Sequence, residues 1–185
     1  MDRPKQWANV ASGVLGFVAP TYFAWTVYRD GIPQNVATWS MIILLDALGL
    51  ILVYKDGNRR PFLQIGWFAA SFCILAAILI GESPWQWGTV ETVSLLLCLV
   101  AIILWRTLNA KIAIFAYVTA LIVSGAPLAV DYWYVPQPST TWLWITTILT
   151  CFLSIYAAER RDVAHTAVPM GAIFINGLIG ILSAR

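Results

Sequence analysis

Seven apolar runs of near-spanning length constrain this chain more than any other feature. They cover Trp7–Tyr28, Val36–Tyr54, Phe62–Ile80, Gly88–Trp105, Ile112–Tyr134, Trp142–Ala158 and Ala167–Ala184. About 20 helical residues, rising about 1.5 Å each, cross a hydrocarbon core of about 30 Å, so each run is long enough to span. The runs are continuous and do not alternate apolar with polar residues, which argues against a transmembrane β-barrel. Their connections are short and rich in Gly, Pro, Asn and charge, as in Lys55-Asp56-Gly57-Asn58-Arg59-Arg60-Pro61. The expectation is an all-α integral membrane protein, one membrane domain over residues 1–185 with no room for a soluble one.

Composition points the same way. With 60 % apolar and 11 % charged residues and a mean hydropathy of +0.77, too few charges remain to clothe a soluble core. A formal charge of +2 gives no reason to expect a nucleic-acid partner. The ten Trp and seven Tyr cluster near the ends of the runs, the depth that amphipathic rings favour. Cys73, Cys98 and Cys151 fall inside apolar runs, odd in number and without Cys-x-x-Cys spacing, and read as small buried hydrophobes. The first run lacks a small-x-small cleavage site and reads as a retained span rather than a signal peptide.

Positive loops are retained in the cytoplasm. Arg3, Lys5, Lys55, Arg59, Arg60, Arg106, Lys111, Arg160 and Arg161 fall on the side of the N-terminus; only Arg29 and Arg185 fall on the other. The balance predicts a cytoplasmic N-terminus and an outside C-terminus, in what is expected to be a bacterial inner membrane.

The chain also resembles itself. Pro33-Gln34 and Thr38-Trp39 follow the first run; Pro136-Gln137 and Thr141-Trp142 follow the fifth at the same mutual spacing, 103 residues later. Upstream, Ala19-Pro20 answers Ala126-Pro127. Each copy continues through an apolar run, a basic turn (Arg59-Arg60 or Arg160-Arg161) and another apolar run. Residues 7–80 and 112–184 therefore read as two three-helix repeats, and 88–105 as a linker helix. Three spans reverse direction, and a fourth restores parallel insertion of the second copy. Parallel repeats place a substrate site at their interface near the bilayer midplane.

This 3+1+3 plan, with a proline inside the first helix of each half, resembles the PQ-loop superfamily. That group includes the SWEET sugar carriers, their half-size bacterial relatives and the nicotinamide-riboside-type vitamin-precursor carriers. By position, Pro20 and Pro127 look like the family's hinge prolines, although Thr21 and Leu128 stand where its Gln would be. The literal Pro-Gln pairs lie in turns, and SWEET carriers place the N-terminus outside, so the resemblance is to the wider superfamily.

Polar groups inside the runs are costly in lipid and are the candidates for function. Asp46 lies midway along the second run, where it should face the bundle interior or water and serve a substrate or proton. Asn176 lies midway along the seventh, similar in placement to the Asn with which SWEET carriers hold substrate; the 103-residue register pairs it with Cys73. Thr146 and Thr150 share a face at i, i+4 beside Thr147. Trp39 and Trp142, equivalent in the repeat, lead Trp25, Trp67 and Trp144 as residues to stack on a solute. Gln64 and Glu91, nearer the run ends, read as snorkelling to the interface, and Asp131 as a rim residue.

Other classes find no support. No His-Glu-x-x-His motif exists, and the one histidine, His165, lies in a basic turn. No lysine follows Lys111, so a retinal Schiff base in the last helix is excluded. No phosphate-binding glycine loop or nucleophile–base pair is present; neither an enzyme nor a cofactor is expected. The leading expectation is a small secondary transporter moving a small polar solute by alternating access. Bilayer, solute and protons are its expected partners, and a homo-oligomer is compatible with the sequence. A ligand-sensing or cargo-receptor protein, or a membrane scaffold subunit, remain the alternatives.

Overall fold

The computed structural model describes residues 3–32, 34–58, 60–158 and 163–185, the side chains of residues 163–165 excepted. Pro33, Arg59, Arg160, Arg161 and the side chain of His165, which enter the sequence argument, lie outside the described residues.

Helix α1 (Arg3–Asp30) outruns its apolar stretch by about a turn at the start. Helix α2 (Val36–Lys55) begins where the Asn35 side chain accepts the Ala37 N–H at 3.0 Å. Helix α3 (Phe62–Ile80) opens directly after Pro61, whose ring cannot extend a helix backwards. Helix α4 (Thr89–Thr107) has Glu91 in its first turn, and that side chain accepts the Gly88 N–H at 3.0 Å. Such caps satisfy amide hydrogens that have no partner inside the helix, and so fix where it starts.

The fifth apolar run departs from the single helix expected. It is α5 (Ala110–Ser124) followed by α6 (Ala126–Tyr134), parted at Gly125. Pro127 has no N–H to give to the preceding turn, and its ring crowds the carbonyl four residues back, so the ladder stops and restarts. Pro20, by contrast, sits inside an unbroken α1. A 3-10 turn (Pro138–Thr140) leads into α7 (Thr141–Ala157), and α8 (Val163–Ser183) carries a proline of its own, Pro169.

Seven helical segments are long and apolar enough to cross a membrane, α5 and α6 counting as one, and no strand occurs among the described residues. The chain therefore has the make-up of an integral membrane protein. Helix α3 lies between α1 and α2; α8 lies likewise between the α5–α6 pair and α7. These two groups meet through α1 against α7 and α2 against α5. Helix α4 leans on α5 from outside and is the least buried span.

Small residues set the closest approaches, as expected where lipid gives no hydrophobic drive between helices. A Cβ on Gly66 would collide with the Gly13 carbonyl of α1. Across the molecule, a Cβ on Gly171 of α8 would run into the Val118 side chain of α5.

Candidate functional site

A cavity of about 440 Å³ lies between the two helix groups. Thr38, Ile42 and Asp46 line it from α2 at i, i+4 and i+8, so one face of that helix forms a wall. Eight residues at about 1.5 Å rise put Asp46 about 12 Å below Thr38. Around the mouth stand Gln34, Asn35 and Gln86, with Asp131 of α6. All lie at the end of the bundle opposite the N-terminus.

Asp46 is 7 % exposed and forms the polar floor. Ser71 of α3 donates its hydroxyl hydrogen to Asp46 Oδ2, and Oδ1 accepts no hydrogen bond among the described residues. Asn176 of α8 also lines the cavity. Its Nδ2 donates to the Ala172 carbonyl one turn earlier at 2.7 Å, which leaves the side-chain oxygen available. Beneath Asp46, toward the N-terminal end, Leu48, Leu52, Leu63, Tyr117, Cys151 and Val168 are packed and buried. Gly49 admits the Tyr117 hydroxyl so closely that a Cβ would overlap it. The cavity thus reaches from one rim to the middle of the bundle, with an apolar plug below.

Trp39, Trp67, Trp87 and Trp144 contribute indole surface to the wall. Behind two of them sits Phe23 of α1, with ring centroids 6.3 Å from Trp39 and 6.4 Å from Trp144. Gln34 accepts the Trp39 indole N–H at 3.1 Å, giving the Gln of the first Pro-Gln turn a positioning task.

Glu91 does not snorkel to the interface. It is buried, and its Oε1 accepts from Thr38 at 2.7 Å while Oε2 accepts from the Gly88 amide. Asn35 adds to the same latch, donating to the Gln86 carbonyl at 2.8 Å and accepting from its amide at 3.1 Å. The segment between α3 and α4 is thereby tied to the start of α2. Gln64 is likewise buried.

Of the residues singled out from sequence, Asp46, Asn176, Trp39, Pro20 and Pro127 come together on the cavity wall. Trp142, Cys73, Thr146 and Thr150 do not. Trp142 meets Tyr22 edge-on at 5.3 Å, and that tyrosine is half-exposed on the outer face of α1. Cys73 packs against the buried cluster around Phe23. Thr146 donates to the Trp142 carbonyl at 2.8 Å, and the fully buried Thr150 to the Thr147 carbonyl at 2.7 Å; both are spent on their own helix. The neighbouring Trp144 and Thr147 face the cavity instead. Ser71 was missed because a serine among Ala70 and Phe72 carries no local signal. Only its long-range contact with Asp46 reveals it.

Comparison of the chain with family models, curated proteins and solved structures finds no match.

Proposed function

We propose that this chain is a small secondary transporter or facilitator that carries a small polar solute by alternating access. The observation carrying the reading is the cavity itself, open at one rim and floored at mid-bundle by a buried carboxylate with a free oxygen. Ligand pockets are concave, largely apolar and hold a few convergent polar groups, typically within about 300–1,000 Å³. An ionisable residue within a membrane span marks a pathway or binding site by default. In this reading Asp46, Asn176, Trp39 and Trp144 hold the solute. The plug around Tyr117 keeps the opposite side shut.

Two three-helix repeats joined by α4 belong to the same proposal, and with them the resemblance to the PQ-loop superfamily. Support comes from the packing. Gly13 against Gly66 becomes Val118 against Gly171 under one shift of 105 residues, which also carries the buried Leu63 to the buried Val168. That register replaces the 103-residue one read from the Thr-Trp pairs. It makes Trp144 the counterpart of Trp39, and Ser71 the counterpart of Asn176. Both new pairs line the cavity. Arg3, Lys5, Lys55, Arg60, Arg106 and Lys111 crowd the plugged end, so we place that end in the cytoplasm of a bacterial inner membrane and the mouth outside.

Proteoliposome uptake, with binding measured alongside, tests the proposal. Asp46→Asn and Asn176→Ala are expected to lower both. Saturable binding without flux would replace the transporter by a ligand-sensing membrane protein.

A further inference from the structure

We infer that the solute is an organic cation: an ammonium head, primary or quaternary, on a compact apolar or aromatic body. The inference rests on reading the cavity as a solute site, and it specifies what that site accepts.

Charge carries the first step. The ionisable side chains lining the cavity are Asp46, Glu91 and Asp131; among the described residues no Lys, Arg or His lines it. Glu91 is spent on the Thr38 and Gly88 latch. Asp46 is not spent: Ser71 serves one oxygen, and the other accepts no hydrogen bond among the described residues, although the side chain is buried and lines the cavity. A buried carboxylate is retained where something neutralises it, and the protein supplies no cation here. An anionic solute would meet repulsion from mouth to floor, and a neutral one would leave Asp46 with nothing but a proton to neutralise it. A monocation satisfies it and is drawn in past Asp131.

The walls carry the second step. Indole faces attract cations electrostatically, and quaternary ammonium groups are recognised by such aromatic surroundings. Trp39 and Trp144 approach the cavity from opposite helix groups, each braced by Phe23. Ile42, Ile74 and Ile175 complete an apolar surface for the body of the molecule. A metal ion fits poorly, because no group of three or more His, Cys, Asp or Glu side chains is gathered among the described residues. One free carboxylate oxygen amid indoles suits a large, weakly hydrated charge.

The test uses the purified full chain in detergent and matched probe pairs that differ only in charge. Choline is compared with 3,3-dimethylbutan-1-ol, and benzyltrimethylammonium with neopentylbenzene; benzoate and glucose complete the set. Titration calorimetry is expected to show saturable binding of at least one cation, at least tenfold tighter than its neutral isostere. Asp46→Asn is expected to abolish that preference and Asp46→Glu to keep most of it. Equal binding of isosteres, tighter binding of benzoate or glucose, no saturable cation binding to the folded protein, or a preference surviving Asp46→Asn would each overturn the inference. The isostere comparison needs no variant, so it decides even where Asp46→Asn fails to fold. Flux is judged separately: uptake of a neutral solute without cation binding removes this inference and leaves the transporter, whereas cation binding without flux does the reverse.

Discussion

Ser71 of α3 donates a hydrogen bond to Asp46 of α2, joining two helices at the depth where the cavity ends. This bond satisfies only half of a carboxylate that costs roughly 2.5–3.5 kcal/mol at the centre of a membrane helix on insertion scales. The two partners should therefore behave oppositely when altered. Ser71→Ala removes the donor and leaves the charge, and is expected to lower stability by about 1 kcal/mol. Asp46→Asn keeps the shape and removes the charge, so it should melt no lower than the parent while losing solute binding. Thermal unfolding in detergent reads the first effect and titration the second. A strongly destabilised but fully binding Asp46→Asn would mean the carboxylate is a structural tie.

Asp46 and Asn176 were legible from sequence because a polar side chain in an uninterrupted apolar run stands out by its cost alone. The span boundaries were legible for the same reason, to within a few residues. Their partners were not. Ser71 and Thr38 are ordinary residues until the packing of α2, α3 and α4 brings them to a carboxylate. Trp144 rather than Trp142 lies on the cavity wall for a geometric reason. Two positions on a helix are about 200° of rotation, at 3.6 residues per turn. A register read from dipeptides and differing by two from the proposed 105-residue one thus presents nearly the opposite face. The break at Gly125 was concealed because a proline in an apolar run signals a kink without saying whether the ladder survives it.

Asn35 makes the latch testable at the mouth. Its side chain caps α2 through the Ala37 amide and holds both the amide and carbonyl of Gln86. Asn35→Ala forfeits a helix cap, typically about 0.5–2 kcal/mol, together with the bridge to residues 81–88. A lower melting temperature and faster amide exchange confined to residues 81–88 and the first turn of α2 are expected. Exchange that stays at the parental rate there would show that the Val36 amide bond to the Pro84 carbonyl holds the segment alone.

The closest contact between α1 and α3 depends on glycine at both surfaces. Gly66→Val places branched carbon where the Gly13 carbonyl lies, and backbone cannot yield as a side-chain tip can. Overpacking of this kind costs typically about 1–3 kcal/mol, and more where backbone must move. The variant is expected to lose monodispersity on gel filtration. Gly177→Val is the matched control, since a Cβ there meets nothing within 4 Å. Equal behaviour of the two would mean that α1 and α3 pack more loosely than Gly13 and Gly66 require.

Trp144 and Trp142 separate cavity from periphery two residues apart. Trp144 is 6 % exposed and contacts Phe23 and Tyr132, with centroids 6.4 and 6.1 Å away. Trp144→Phe retains an aromatic body but removes indole surface from the wall, so affinity for a bound solute should fall at least threefold. Trp142→Phe alters the edge-on contact with Tyr22 and packing against the cluster around Phe23, away from the cavity wall, and should leave affinity within twofold. Calorimetric titration of both variants with the same solute makes the comparison, and an inverted ranking would return the 103-residue register.

Pro127 and Pro20 line the same cavity but act differently on their helices, so under the proposed alternating access they should differ as hinges. Pro127 follows the break at Gly125, where α5 ends and the ladder resumes with the Ala129 amide on the Gly125 carbonyl at 3.1 Å. Pro20 interrupts one bond in a helix that continues past it. Hinges are a few residues that absorb large backbone rotations, and a position already between two half-helices needs little further distortion. Pro127→Ala restores an N–H to the ladder and should stiffen the joint. The initial uptake rate is then expected to fall several-fold while equilibrium affinity stays within twofold, because Asp46, Asn176, Trp39 and Trp144, the residues placed on the solute, are all retained. Pro20→Ala should change the rate far less. Parallel losses of rate and affinity in Pro127→Ala would instead identify the break as a fixed piece of the binding wall, with the moving joint elsewhere in the bundle.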